Sequence, residues 1–107
     1  MDDSAPAPAK PSAIFKIVEA SQWPADGIYE GSADDARDGF IHLSTADQVP
    51  GTLARHFAGR TGLLLVEVDA GALGAALKWE PSRGGALFPH LYGPLPRSAV
   101  RAVRALP

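Results

Sequence analysis

Residues 39–45 read Gly-Phe-Ile-His-Leu-Ser-Thr, an apolar run that carries one histidine and leads into a polar helix start. Its aromatic and β-branched residues predict a short buried strand. Alternate residues of a strand share a face, so Phe40, His42 and Ser44 are expected to point the same way. A lone histidine in a strand is usually a core residue with satisfied hydrogen bonds. Whether His42 is a structural or a functional residue therefore depends on the residues beside it.

A second segment, residues 88–93, repeats this layout as Phe-Pro-His-Leu-Tyr-Gly. The motif Phe-x-His recurs, and a hydroxyl-bearing side chain follows in both cases, Ser44 in one segment and Tyr92 in the other. If the two strands lie in one sheet, His42 and His90 line a common cleft. Buried imidazoles are costly unless they are hydrogen-bonded or used, so the paired motif favours a functional site. Two satisfied core histidines are the alternative.

The composition fits one globular domain. The chain has 107 residues, of which 46% are hydrophobic and 21% charged, and its net charge is -2. This charge offers no broad attraction for DNA or an anionic membrane, although a local contact with an RNA end stays open. The absence of cysteine excludes disulfides, thiolate catalysis and zinc–thiolate sites. With no membrane-length apolar run and no secretory signal pattern, we expect a cytoplasmic protein, by default a monomer.

The order of elements predicts an α+β domain. Residues 1–12 are rich in Ala and Pro and are expected to form a disordered tail, and residues 13–107 a single globular domain. Two short helices are expected, the second opened by a capping box between Thr45 and Gln48. Strands are expected at residues 14–18, 40–44, 63–68 and 77–80, around residues 88–92, and near the carboxyl terminus. This order favours a mixed or antiparallel sheet over a doubly wound one.

Two charged features are expected to be structural. Residues 27–39 are polar and predict a surface loop, in which Asp34, Asp35 and Asp38 would be solvated charges and not a cation site. His56 falls in the last turn of the second predicted helix, where the helix dipole already favours a positive charge.

Two of three conceivable chemistries lack a sequence signal. A metal site would need a third ligand, such as Glu80 or an aspartate, and neither H-x-H nor H-x-x-x-H spacing occurs. No metal is therefore predicted. A serine nucleophile would need a strained turn such as G-x-S-x-G, whereas Ser44 stands before a helix start, where capping explains it.

A nucleotide or sugar-phosphate site uses the residues that are present. Histidines and hydroxyl groups, including that of Ser44, can hydrogen-bond ribose. Arg83 and the amides of the glycine-rich loop around it can meet a phosphate, although a plain hairpin loop is the simpler interpretation of that loop. Trp79 or Tyr92 can stack on a base. This chemistry is preferred.

Several motifs together resemble one bacterial family. Asp-Gly-Phe-Ile-His-Leu-Ser-Thr at 38–45, Gln-Val at 48–49, Lys-Trp-Glu-Pro at 78–81 and Leu-Phe-Pro-His-Leu-Tyr-Gly-Pro-Leu at 87–95 closely resemble the domain-of-unknown-function family DUF952. The resemblance runs from about Ile14 to Leu106 in the same motif order. It implies a split-sheet fold similar to that of ADP-ribosyltransferases, including the RNA 2′-phosphotransferase branch, whose cleft binds NAD or ADP-ribosylated intermediates.

The resemblance also implies roles for individual residues. His42 looks like the strand histidine that contacts ribose in that superfamily, and Tyr92 or His90 would take the nicotinamide side. Glu80 would stabilise an oxocarbenium-like ribosyl centre. No acidic residue follows Glu80, where the superfamily usually carries a late glutamate. NAD or ADP-ribose is thus the candidate ligand. The protein would be an ADP-ribosyl or phosphoribosyl-type transferase or hydrolase, or a non-catalytic module that binds a nucleotide or another small metabolite. If both histidines are structural, it would be neither.

Overall fold

The protein is an α+β domain built from two antiparallel three-stranded sheets. The computed structural model describes residues 10–107, apart from the side chain of Arg83, so most of the predicted disordered tail lies outside the described residues. The elements are β1 (Ala13–Glu19), α1 (Ala33–Asp38), β2 (Ile41–His42), α2 (Val49–His56), β3 (Leu63–Asp69), β4 (Leu77–Pro81), β5 (Leu87–Leu91) and β6 (Val100–Ala105), with short 3-10 turns between them. Within the described part, no helix is long and apolar enough to cross a membrane.

The first sheet has the order β1-β3-β6, with the most apolar strand in the middle. Val66 and Val68 of β3 belong to the main core, whereas Leu63 and Leu65 face the other way. A central strand covered on both faces needs such a continuous apolar run, and this prediction is confirmed. Because α2 covers the second face through Val49 and Leu53, it lies on the back of this sheet.

The second sheet has the order β2-β5-β4 and carries both histidine motifs. Two backbone hydrogen bonds between Phe15 and Ser44, of 2.7 and 2.8 Å, tie the end of β2 to β1 of the first sheet. The main core lies between the sheets and includes the fully buried Ile14, Leu91 and Leu95. The predicted antiparallel arrangement is therefore confirmed as two sheets that share one core.

The predicted helix after β2 is confirmed. Thr45 and Gln48 form the expected capping box around a 3-10 turn, and α2 follows it directly. Pro50 fits because it lies in the first turn of α2, where its missing N–H would have no partner within the helix.

The prediction of a continuous surface loop at residues 27–39 is wrong. Ser32 accepts a hydrogen bond from the Asp35 N–H and the Asp35 carboxylate accepts one from the Ser32 N–H, a capping box that starts α1. Gly39 ends the helix in the left-handed region, with φ of 87°. Asp35 is only 2% exposed, so it is not the solvated charge that its acidic neighbourhood suggested.

Candidate functional site

His42 and His90 are direct cross-strand partners in the second sheet. Their ring centroids lie 5.7 Å apart. Phe40 contacts both rings, with its centroid 4.5 Å from that of His42 and stacked at 4.0 Å on that of His90. The two histidine strands are therefore adjacent in one sheet, which the sequence alone left undecided.

Glu80 and Tyr92 hold the ring of His90. The Glu80 carboxylate lies 2.8 Å from Nδ1 of His90 and accepts a hydrogen bond of 2.7 Å from the Tyr92 hydroxyl, both at Oε1. These bonds, that from His90 foremost, lower the pKa of Glu80, and the carboxylate in turn raises the pKa of Tyr92. An ionised carboxylate only accepts hydrogen bonds, so Nδ1 of His90 carries the proton. Within the described residues, the His90 ring makes its side-chain hydrogen bond through Nδ1, and the residue is 5% exposed.

His42 lies between two carboxylates. Its Nδ1 is 2.6 Å from Oδ1 of Asp35, and its Nε2 is 3.0 Å from Oδ2 of Asp38. The Nδ1 contact is a hydrogen bond and the Nε2 contact is an ion-pair distance. The two carboxylates thus fix the orientation of the His42 ring.

Asp35 is the centre of a buried network. Its carboxylate also binds the ammonium of Lys16 at 2.8 Å and accepts hydrogen bonds from the N–H groups of Ser32 and His42. Burial by itself raises the pKa of Asp35, but the bonds from His42, Lys16 and Ser32 outweigh it and hold the pKa well below its usual range. Burial likewise lowers the pKa of Lys16, against the opposing effect of Asp35. The network joins α1 to β1 and β2.

The lowered pKa of Asp35 predicts a loss of stability in acid. In the unfolded chain an aspartate titrates near pH 4, so the stabilisation is fully present above that pH. It is lost as the pH falls toward the lower folded-state pKa, by about 2–3 kcal/mol. Urea unfolding between pH 2 and pH 6 measures this slope. Asp35→Asn should flatten the slope, and an unchanged slope in that variant would contradict the prediction.

The network and the histidines border a cleft of about 230 Å³ between β1, α1, β2 and α2. The predicted site residues His42, Ser44 and His90 all line it, and Ser44 Oγ lies 3.0 Å from the hydroxyl of Thr52 on α2. Other lining residues include charged and aromatic side chains that sequence reasoning did not place there: Phe15, Lys16, Asp34, Asp35, Arg37, Asp38, His56 and Phe88. The cleft is therefore polar at its α1 side.

Trp79, a further predicted residue, is not brought into the histidine cluster. Trp79 pairs with Pro89 in the sheet, so it lies on the face opposite His90 and packs against the main core. Arg83 lies in the 3-10 turn that joins β4 and β5. The structure thus places Glu80 and Tyr92 beside His90 but leaves Trp79 outside the cluster.

Lys16 and Asp35 are the site residues that sequence reasoning missed, and both left a signal. Lys16 has the same strand parity as Ile14 and Val18, so it points inward and requires a buried counter-charge. Asp35 stands three residues after Ser32, the spacing of a capping box. Within residues 10–107, no group of three His, Asp or Glu side chains is placed to hold a metal ion.

Comparison with known sequences places this cleft in a family. The family described as "Protein of unknown function (DUF952)" matches residues 14–103. The chain belongs to the DUF952 family. The match spans both sheets and every residue of the Asp35 network, so the DUF952 domain contains the whole cleft.

Solved structures of one bacterial protein are similar to this chain over most of its length. The crystal structure of protein CC0527 from Caulobacter crescentus is 49% identical, with a TM-score of 0.85 over 89% of this chain and 86% of that one. The solution NMR structure of CC0527 is also 49% identical, with a TM-score of 0.78 over 89% of this chain and 84% of that one. No curated protein matches this chain.

Proposed function

We propose that the cleft binds a nucleotide of the NAD or ADP-ribose class and that His90 transfers a proton there. The observation that carries the proposal is the direct pairing of His42 with His90, each ring held by its own carboxylate at one wall of a cleft. Positioned imidazoles with oriented partners are the commonest proton-transfer groups in enzymes. The ligand class comes from the likeness to ADP-ribosyltransferases that the DUF952 resemblance implies. We propose that the two-sheet architecture is a fold of that kind.

The volume of the cleft limits how much of the ligand it encloses. Ligand pockets usually measure roughly 300–1,000 Å³. At about 230 Å³ the cleft takes one nucleoside-sized part, and the rest of a dinucleotide would extend outside it. The Ser44 hydroxyl, which lines the cleft, is the group proposed to bind the ribose there. Tyr92 is not among the lining residues, and its hydroxyl, which donates to Glu80 beside His90, is proposed to contact the part of the ligand that extends outside.

The two histidines are proposed to differ in role. With Nδ1–H donated to Glu80, a neutral His90 has its lone pair on Nε2 and can act as a general base. Glu80 is therefore proposed to orient the His90 ring and not to stabilise a ribosyl cation. His42, whose orientation Asp35 and Asp38 fix, is proposed to bind the ligand and not to transfer the proton. The reaction class is an ADP-ribosyl or phosphoribosyl-type transfer or hydrolysis.

A non-catalytic nucleotide-binding module is the second candidate. Both ring nitrogens of His42 already contact carboxylates, and no acidic residue follows Glu80 in the chain. Titration with NAD and ADP-ribose, followed by amide chemical shifts and by product analysis, separates the two candidates. Binding with turnover supports the enzyme, and binding without turnover supports the module. If no shifts cluster around His42 and His90 at millimolar ligand, both are wrong and the histidines are structural.

Should turnover occur, His90→Gln is expected to reduce it by about 100-fold, since general-base catalysis contributes at least that factor. Glutamine keeps a polar side chain at the site but cannot take up the proton. The measurement is single-turnover product formation with saturating ligand. Arg104→Gln, an exposed change on β6 of the other sheet, is the control and should keep the full rate. Equal rates for His90→Gln and the unaltered protein would contradict the assignment.

A further inference from the structure

One carboxylate of the protein's own chain, that of Asp38, lies between His42 and Arg37 at the α1 side of the cleft. Oδ2 of Asp38 lies 3.0 Å from Nε2 of His42, and the same carboxylate accepts hydrogen bonds from Nε and Nη2 of Arg37 at 3.0 and 3.3 Å. Two N–H donors of Arg37 and the Nε2 atom of His42 thus surround one anionic group. Such convergence is the geometry by which proteins hold the carboxylate or phosphate of a ligand.

The two carboxylates on His42 differ in how firmly they are held. Asp35 is 2% exposed and has its buried partner Lys16, so releasing it would leave an unpaired buried charge. Asp38 has a 34% exposed side chain, and Arg37 is 68% exposed. Ion pairs this exposed contribute little, so water or another anion can replace them. The Asp35 contact is therefore permanent and the Asp38 contact is exchangeable.

The position of Asp38 in the chain suits such an exchange. It is the last residue of α1, and Gly39 follows it in the left-handed region. Only this glycine separates the helix end from Phe40, and the Asp38 side chain is partly exposed to solvent. Arg37 can also pair with Asp34, whose Oδ1 lies 3.2 Å from Nη1 of Arg37.

We propose that Nε2 of His42 and the guanidinium of Arg37 form an anion subsite, which the Asp38 carboxylate fills until a ligand displaces it. The ligand group is an anionic oxygen, either a phosphate or a carboxylate. This inference rests on the proposed use of the cleft for ligand binding, but it does not require a nucleotide. Asp38 thereby lowers the affinity of the free protein for anions, so that weakly binding anions do not occupy the subsite.

The test is Asp38→Asn, with Asp34→Asn as its matched control. Both variants remove one negative charge from an exposed carboxylate on α1 that lines the cleft and contacts Arg37, but only Asp38 contacts His42. The probe is inorganic phosphate, and the readouts are the 15N shifts of the His42 ring and the Arg37 Nε signal. Asp38→Asn is expected to tighten phosphate binding about fivefold, as an exposed charge contact permits. Asp34→Asn should change it less than twofold.

A second variant checks the other half of the subsite. Adding Arg37→Gln to Asp38→Asn should remove most of the gain in affinity, because one of the two cationic groups is lost. Equal gains from Asp38→Asn and Asp34→Asn, or phosphate binding that leaves the His42 ring signals unchanged, would overturn the subsite.

Parallel titrations separate this inference from the proposed function. Acetate in place of phosphate shows whether a carboxylate suffices. If phosphate binds the Asp38→Asn variant at His42 but ADP-ribose and NAD do not, the subsite stands and the nucleotide proposal falls. If ADP-ribose binds the unaltered protein and Asp38→Asn as tightly as each other, the nucleotide proposal stands and the subsite falls.

Discussion

Asp35→Ala is expected to lower the free energy of unfolding by about 3–5 kcal/mol, the cost of removing one partner of a buried ion pair. The substitution leaves the ammonium of Lys16 buried without its counter-charge and removes the acceptor for Nδ1 of His42. It also removes one half of the capping box that starts α1. A loss of this size is a large share of the stability of a small domain.

Urea denaturation followed by circular dichroism measures this effect. Asp34→Ala is the control, because Asp34 is the neighbouring acid on α1 but its side chain is 70% exposed. Its substitution should change stability by no more than about 0.5 kcal/mol. A double replacement, Lys16→Met with Asp35→Leu, should recover part of the stability, because it removes the unpaired Lys16 charge, whereas the N–H groups of Ser32 and His42 still lose their acceptor. Equal effects of Asp34→Ala and Asp35→Ala would contradict the buried network.

Gly31→Ala is expected to destabilise the protein by about 2–4 kcal/mol, from backbone strain and a steric clash together. Gly31 has a φ of 106°, which L-residues rarely adopt. A Cβ at this position would lie 2.9 Å from Cβ of Asp35 and 3.1 Å from Oδ2 of the same residue. It would also meet Cγ1 of Ile41 at 3.3 Å, so the clash is with well-packed atoms. Asp35 must then shift, and the anchor of His42 shifts with it.

Gly27→Ala separates strain from clash. Gly27 has a φ of 84°, yet nothing lies within 4 Å of the Cβ that the substitution would add. It should therefore show only the conformational cost, about 1 kcal/mol. The same denaturation experiment compares the two variants, and NMR shifts of the His42 ring should move in Gly31→Ala alone. If both variants lose the same stability, the contact between Gly31 and Asp35 has no special cost.

Local signals were enough to predict most of the elements. The apolar run of β3, the capping box at Thr45 and Gln48 and the paired Phe-x-His motifs each depend on neighbouring residues in the chain. The matched motifs also predicted two strands with equivalent histidines, and these strands pair in the second sheet. The loop prediction for residues 33–38 is wrong because a run of acidic residues is typical of a solvent-exposed loop, although the Ser32–Asp35 spacing is that of a capping box.

The sequence by itself determined the α+β class, the family and the pair of histidines, since these follow from composition, periodicity and local motifs. The tertiary structure decided the partners of those histidines. Asp35 reaches His42 because α1 packs on β2. It stays ionised despite its burial because His42 and also Lys16, which lies on the other sheet and 19 positions away in the chain, bind its carboxylate. Such pairings depend on how separate elements pack and on the cost of burying a charge. No local pattern encodes them, whereas the strand alternation that predicted Phe40 on the face of His42 and Tyr92 on the face of His90 is local.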